Sequence, residues 1–444
     1  MSRSHSRRNA NPDFRRRPQF PAPPIEELEH QLWQWLSPVS FKPLKCECNT
    51  DGKRMRNRLL TLSVMVAVVL SLVYRQISGL SELLRVLTLK GLLWVEPLSV
   101  SDVVLGKRLR KLPVKLFTQL LEQVKTQLNE RPHGSVLCGS WQALQSHFTA
   151  IWIADGSTLE ELRHQLKALR ERQQTVLGGK MMMVVELFTH RPIAMHYSED
   201  AKANDKVFSD WLLQTLPQDG LLVFDLGFFN FLWFNQFTEK GRYFLTRQRE
   251  KTAYSRQRIL SRGERYCDEI IEMGQYRSHP CRYPVRMVSV LWGNTWYRYL
   301  TNVLDPEQLT AQQVCDLYRR RWRIEDAFFV TKRLLGLAYV WVGDTNGIQI
   351  QIVATWIFYA VLNDLCAQVA IALRQPLEVI SIEMVFRGLY HYSRARLRDE
   401  TTELISFYCE QHKRLGLLKA KRKRLRQREQ QWIAIWGGIP GCNP

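Results

Sequence analysis

The sequence predicts an α/β protein built on a mixed sheet, with a β-rich insertion late in the sheet and helical regions on both sides. Two observations carry that reading. Three strand-like runs follow one another at Ile151–Ala154, Met181–Phe188 and Ile193–Tyr197, and later strands at Leu221–Phe224 and Arg242–Thr246 alternate with helical stretches, the first of them Lys206–Leu216. The resulting order is β-β-β-α-β-α-β. Three consecutive strands make an antiparallel meander, and strands that alternate with helices add parallel neighbours to it. This is the strand order of an RNase H-like fold.

Ahead of the sheet, residues 1–25 are rich in Arg, Pro, Ser and Asn and lack periodicity, which predicts a flexible basic arm. Residues 26–140 read as a helical, DNA-binding domain. Leu59, Leu62, Val66, Val69 and Val73 fall on one side of one helical segment, and Leu112, Val114, Leu116, Leu120, Leu121 and Val124 mark another. Between them, Ser101–Pro113 places a capping serine ahead of mixed apolar and basic residues, as a DNA-reading helix would, and equally as an amphipathic surface helix would.

Within the region 150–340, assigned to the α/β domain, the rhythm changes over 249–302 to strands without helices. Val285–Trp292 and Trp296–Val303 flank Gly293-Asn294-Thr295, a hairpin turn signal. Helix resumes at Thr310, where Thr310 and Gln313 form a capping box, and Gly336 is a natural terminator. Two more helices are expected over 341–444, with a basic tract at Lys413–Arg428 that either tracks a DNA backbone or is a solvated face.

Composition bounds the function. With 444 residues the chain can bury a sizeable core, and 45% hydrophobic with 24% charged residues excludes a wholly disordered protein. The 63 Lys and Arg against 42 Asp and Glu leave a formal charge of +21, which favours a polyanionic partner, nucleic acid first. The nine cysteines are scattered, unlike a secreted disulfide scaffold, and the close pair Cys46 and Cys48 lacks the second pair that a zinc site needs. No apolar leader occupies Met1–Phe20, so the expected location is cytoplasmic, nucleoid-associated when on DNA. The apolar runs Leu59–Tyr74 and Ile348–Leu362 are shorter than a typical membrane span and read as buried helices.

The chemistry-bearing constellation is acidic. Asp155 follows an apolar strand and precedes Gly156-Ser157-Thr158, while Asp225 follows Leu221–Phe224 and precedes Leu226-Gly227-Phe228. Either alone is a common turn. Together, at the ends of neighbouring strands, they bring two carboxylates within reach of one cation. On a helix at about 100° per residue, Tyr318, Arg321, Glu325 and Lys332 fall within about 60° of one another, beside a buriable face of Leu317, Ile324, Phe328 and Leu335.

Tyr318, Arg321, Glu325 and Lys332 match the Y-x2-R-x3-E-x6-K signature of DDE transposases of the insertion-sequence-4 type, and Asp155-Gly156-Ser157 and Asp225-x-Gly227-Phe228 resemble that family's two aspartate motifs. The resemblance spans about 150–340 and departs at Leu226, where relatives often carry a basic or small residue. It implies an RNase H-like core with a β-strand insertion, and Asp155, Asp225 and Glu325 as catalytic, metal-binding carboxylates. The ions would be Mg²⁺, with Mn²⁺ as a substitute and two ions the expected number. The implied partners are double-stranded DNA, both transposon ends and target, with a homodimer in the DNA complex. Arg321 and Lys332 would hold phosphates, and Tyr318 would bond a phosphate or stack on a base. The implied reaction is cut-and-paste transposition, with a non-catalytic DNA-binding relic and a nuclease that hydrolyses without joining as alternatives. Since such relatives can cut through a DNA hairpin, Trp292 and Trp296 are candidate platforms for an unstacked base, against the plainer reading that strand tryptophans pack in the core.

Overall fold

A computed structural model describes residues 59–75, 77, 79–93, 95–131, 139–159, 179–275, 277–337, 345–396, 398, 403–419 and 430–436. The basic arm, the Cys46/Cys48 pair and residues 420–428 of the basic tract lie outside the described residues.

Nine strands form one sheet, β1 (Ile151–Thr158), β2 (Lys180–Glu186), β3 (Pro192–Ser198), β4 (Leu221–Val223), β5 (Tyr243–Arg247), β6 (Tyr254–Arg262), β7 (Tyr266–Met273), β8 (Val285–Trp292) and β9 (Thr295–Thr301), in the order β3-β2-β1-β4-β5-β9-β8-β7-β6. The meander β1–β3 is antiparallel, β1, β4 and β5 are parallel, and β5 meets β9 antiparallel. This is an RNase H-like mixed sheet, and the β-rich insertion continues it edge to edge.

Apart from end shifts of one or two residues, the strands differ from the sequence reading in two places. Strand β1 does not stop before Asp155 but runs on to Thr158, because β2 pairs with it throughout, Asp155 opposite Met183 and Thr158 opposite Lys180. The β8–β9 turn is two residues long rather than three: Thr295 pairs with Trp292, and Gly293 takes the left-handed φ of 63° that lets so short a turn close.

Each face of the sheet carries its own core. One is aromatic: α6 (Ser209–Thr215) and α7 (Phe231–Glu239) cover Ala154, Met182, Leu222, Phe224, Phe244, Met287 and Leu300. Phe234 stacks on Phe244 at 4.5 Å and 12°, and Phe224 lies 4.6 Å from Trp233. The other face, with Ile151, Ile153, Leu221, Val223, Val288 and Tyr299, belongs to a larger core shared with the remaining helices among the described residues. These are α1 (Leu62–Tyr74), α2 (Leu80–Lys90), α3 (Asp102–Lys111), α4 (Val114–Asn129), α5 (Gly139–His147), α8 (Ala311–Arg320), α9 (Arg323–Phe329), α10 (Thr345–Ala372), α11 (Ile382–Arg396) and α12 (Leu404–Leu415).

The described part of the helical segment expected at 26–140, from residue 59 onward, shares its interior with the sheet, since α1 and α4 pack on α10. Ser101 caps α3 through Val104 N as its sequence suggests. Helix α10 is long and apolar enough to cross a membrane, yet 94% of its most apolar stretch is buried inside the protein. Its Asp364 is buried and held by Arg131 at 2.9 Å and by Arg191 at 3.4 Å, which ties α4 and the β2–β3 turn to α10.

One buried ion pair joins the insertion to the helix that follows it. Arg286 on β8, fully buried, donates through Nε and Nη2 to both oxygens of Asp268 on β7, at 2.8 and 2.7 Å. Its Nη1 donates to the carbonyl of Leu309 at 2.6 Å, with Val303 and Asp305 carbonyls at 3.4 and 3.3 Å. Thr310 then starts α8 with the expected capping box. Removing one partner strands the other charge in a dry interior. Asp268→Ala is expected to lower unfolding stability by about 3–5 kcal/mol, read from the urea midpoint; a loss below about 1 kcal/mol would show that the pair is not a structural tie.

Candidate active site

The pairing of β1 with β4 decides where the acidic residues fall. Ile151 lies opposite Leu221 and Ile153 opposite Val223, so the same register carried two residues onward sets Asp155 beside Asp225. Alternation along the strands puts both on the face of Ile153 and Val223, the face that α8 and α9 cover. Each carboxylate is steadied locally. Asp155 Oδ1 accepts from Gly156 N at 2.9 Å, and Asp225 Oδ1 accepts from Gly227 N at 2.8 Å, capping a 3₁₀ turn at Leu226–Phe228.

The helix expected from Thr310 to Gly336 is segmented. It breaks at Arg321–Trp322, where Ile324 N and Glu325 N reach back three residues to Arg321 O and Trp322 O. A π-helical turn follows at Val330–Leu334, where Leu335 N bonds Val330 O. Leu317, Ile324, Phe328 and Leu335 are buried as predicted. The mixed stripe beside them does not behave as one face: Tyr318 and Arg321 are buried, Glu325 is exposed, and Lys332 is half-buried.

Arg321 is the bridge between helix and sheet. Its Nη1 donates to Asp155 Oδ2 at 2.7 Å, and its guanidinium lies 5.8 Å from the Tyr318 ring and 5.2 Å from that of Trp322. Among the described residues its buried Nε has no hydrogen-bond partner. Burial pushes the Asp155 carboxyl up to about 7; Arg321 opposes the rise, and the negative charges of Asp225 and Glu325 add to it. Three carboxylates thus feel one another at one place. Tyr318 packs tilted against Tyr299, ring centroids 4.9 Å apart, and its phenol is pushed up by burial and senses Arg321 and Asp225. Lys332 Nζ donates to Thr158 O at 2.8 Å, fastening the π turn to the far end of β1.

Asp155, Asp225 and Glu325 offer only hard oxygen donors, the kind that Mg²⁺ and Mn²⁺ take, and their mutual repulsion is what a cation would relieve. In donor chemistry the site fits a divalent metal. Its spacing is wider than a closed metal site, with Arg321 on the Asp155 oxygen, and among the described residues no three acidic, His or Cys side chains converge tightly enough to hold an ion as they stand.

The two tryptophans part company. Register puts Trp292 with Thr295 and Trp296 with Leu291, on opposite faces of the sheet. Trp292 lies on the helix face within a stack: Arg319 sits 5.1 Å from its ring and 4.3 Å from Trp432, and the two indoles are 5.4 Å apart. Trp432 Nε1 also donates to Asp316 Oδ1 at 2.7 Å, so this stack ties residues 430–436 to α8. Trp296, 46% exposed, is on the other face. Neither ring is brought to the carboxylates.

Sequence reasoning missed two residues that the structure places behind them, Asp205 and Lys180, which pair at 2.6 Å beneath Gly156 and Gly227. No motif marks either one; only the capping Asn204 ahead of Asp205 signals a helix start.

The raised Asp155 carboxyl makes stability depend on pH. A group that binds its proton more tightly when folded stabilises the fold below its unfolded value, near 4, and that contribution disappears as pH rises through about 7. In chelator-treated protein, the melting temperature of Asp155→Asn relative to wild type should therefore shift in the variant's favour between roughly pH 4.5 and pH 8. A difference that stays constant across that range would remove Asp155 as the titrating group.

Residues 148–359 match the family described as the transposase DDE domain. No curated protein matches the chain. The matched span begins just before β1 and ends within α10, so it contains Asp155, Asp225, Glu325 and the whole insertion: the RNase H-like sheet lies in the part of the chain that is similar to this domain.

Proposed function

We propose that the chain is a cut-and-paste transposase of the insertion-sequence-4 type, cleaving DNA at transposon ends and joining the freed 3′-hydroxyl to target DNA. The observation that carries this reading is the register that sets Asp155 beside Asp225 on the face covered by the helix bearing Glu325. Asp155, Asp225 and Glu325 would hold Mg²⁺ or Mn²⁺. When bound, such ions activate the attacking oxygen and stabilise the leaving one.

The chain's own residues supply the rest. Arg321 is a delocalised cation at the strand ends, its Nη1 engaged with Asp155 Oδ2, whose positive charge would attract a phosphate drawn to that point. Tyr318, fixed against Tyr299, walls the guanidinium on one side. Lys332 holds a positive charge at the end of β1, three residues beyond Asp155. The excess of Lys and Arg elsewhere supplies sequence-independent attraction for the duplex. We assign the partners as transposon-end and target DNA, bound by a homodimer.

The test is a gel assay with the full chain, Mg²⁺ and labelled DNA carrying the element's terminal repeats. Asp155→Ala, Asp225→Ala and Glu325→Ala should each abolish nicking and joining while end binding is kept, and wild-type nicking by Asp225→Ala would sink the assignment. Arg321→Ala and Lys332→Ala should weaken end binding and each reduce the slope of log affinity against log salt by about 1. Unchanged binding, cleavage and slope in both would make that helix purely structural.

A further inference from the structure

The two aspartate motifs share a feature that metal binding does not explain: each has a glycine just after the acid, Gly156 and Gly227. Neither glycine has a positive φ, so backbone freedom is not the reason. Space is. A Cβ on Gly156 would lie 2.4 Å from Asp205 Oδ1, and one on Gly227 would lie 2.7 Å from Asp205 Oδ2. One carboxylate therefore fills the gap between the two motifs, one oxygen against each glycine. On Gly227 the same Cβ would meet Asp225 Oδ1 at 3.0 Å, so Asp205 and Asp225 crowd the same point.

Asp205 is not at liberty to swing aside. It opens the 3₁₀ helix Asp205–Phe208, which Asn204 caps through Lys206 N and which runs directly into α6. Its Oδ1 is 2.6 Å from Lys180 Nζ, a contact out of line for a hydrogen bond. That ammonium also donates to Ala203 O at 2.8 Å, and Lys180 is itself buried at the start of β2, its Cε 3.0 Å from the Gly156 Cβ position. Because side chains alternate along β1, Gly156 faces away from Asp155, towards the aromatic core. At Gly156 the pair therefore stands behind Asp155, while at Gly227 Asp205 borders Asp225.

We propose that Asp205 and Lys180 are positioning residues: an ion-paired wedge, behind Asp155 and beside Asp225, that fixes the separation of the two acids, with glycine required at 156 and 227 to admit it. The wedge itself is steric and electrostatic; its effect on metal rests on the reading of Asp155, Asp225 and Glu325 as ligands. Without it the two motifs are free to approach or splay, and a pair of carboxylates loses the spacing that an ion demands.

Two measurements on the full chain test this. The first is a double-mutant cycle in thermal stability. Gly227→Ala should destabilise, Asp205→Ala should cost less, and the double variant should recover most of the Gly227→Ala loss, because the clashing atom is gone. Additive losses would overturn the wedge whatever the metal does. The second is Mn²⁺ binding to DNA-free protein by electron paramagnetic resonance, together with the Mg²⁺ dependence of nicking. Asp205→Ala and Lys180→Met should fold, raise the Mn²⁺ half-saturation point by about tenfold or more, and regain nicking at high Mg²⁺, whereas a merely structural defect would not be rescued by metal. With Asp225→Ala as control, loss of Mn²⁺ binding there but wild-type binding in Asp205→Ala would refute positioning. Unchanged Mn²⁺ binding in Asp225→Ala would instead refute the ligand assignment, leaving the stability cycle to decide the wedge.

Discussion

Everything at the candidate site follows from the pairing of two short parallel strands. β4 is three residues long, and its register with β1 is fixed at Ile151–Leu221 and Ile153–Val223. A slip of one residue would turn Asp225 to the aromatic core and Phe224 to the helix face, exchanging a carboxylate and a phenyl ring between environments that suit neither. The hydrophobic sorting of the two faces therefore specifies the position of the acids. Phe224, ringed by Phe228, Trp233, Phe234, Phe237 and Phe244, is as much a determinant of the site as the aspartate beside it.

Glu325 comes from far along the chain, and its delivery is a problem of a different kind. Between Asp225 and Glu325 lie four insertion strands, and these do not form a separate unit but extend the same sheet through the β5–β9 pairing. Arg286 then turns sheet order into helix order. By holding Asp268 with one edge and the Leu309 carbonyl with the other, it fixes where α8 can begin. A buried charge pair is weak evidence for stability in itself, since its desolvation cost can exceed its attraction. Its value here is geometric, because few other side chains can bond two oxygens of an acid and several carbonyls at once.

The sequence was most legible where one local rule acts alone. The Thr310–Gln313 capping box, the Ser101 cap and the strand runs on both sides of Asp225 reflect local chemistry and appear in the structure as read. The fold class and the two acids were legible because strand alternation is short-range. What the sequence did not disclose depends on partners distant in the chain. Strand β1 continues through Asp155-Gly156-Ser157, a turn-like string, because β2 offers it hydrogen bonds. The helix that bears Glu325 breaks at Arg321 and loosens into a π turn at Val330–Leu334, so an ideal 100° wheel misjudged how the four signature residues are exposed. Trp292 is engaged by Trp432, 140 residues later, a contact no periodicity could announce. Asp205 and Lys180 carry no motif because their role is defined by what two glycines lack.

The charges of the molecule pull in opposite senses at two scales. Over its whole length the chain is strongly basic, a charge that favours a polyanion, yet the strand ends concentrate three carboxylates against which any phosphate would be repelled. Long-range attraction is screened within about 8 Å at physiological salt, so the excess of Lys and Arg cannot offset acids that lie directly at the point of contact. Positive charge has to be supplied at that point itself. Arg321 supplies one such charge now, on Asp155 Oδ2, and its partial success is visible in Asp155: the arginine lowers the carboxyl's proton affinity, but burial and the other two acids outweigh it. An acidic cluster that its own arginine leaves short of cations is balanced only when further positive charge is bound, which couples the site's readiness for phosphate to that binding.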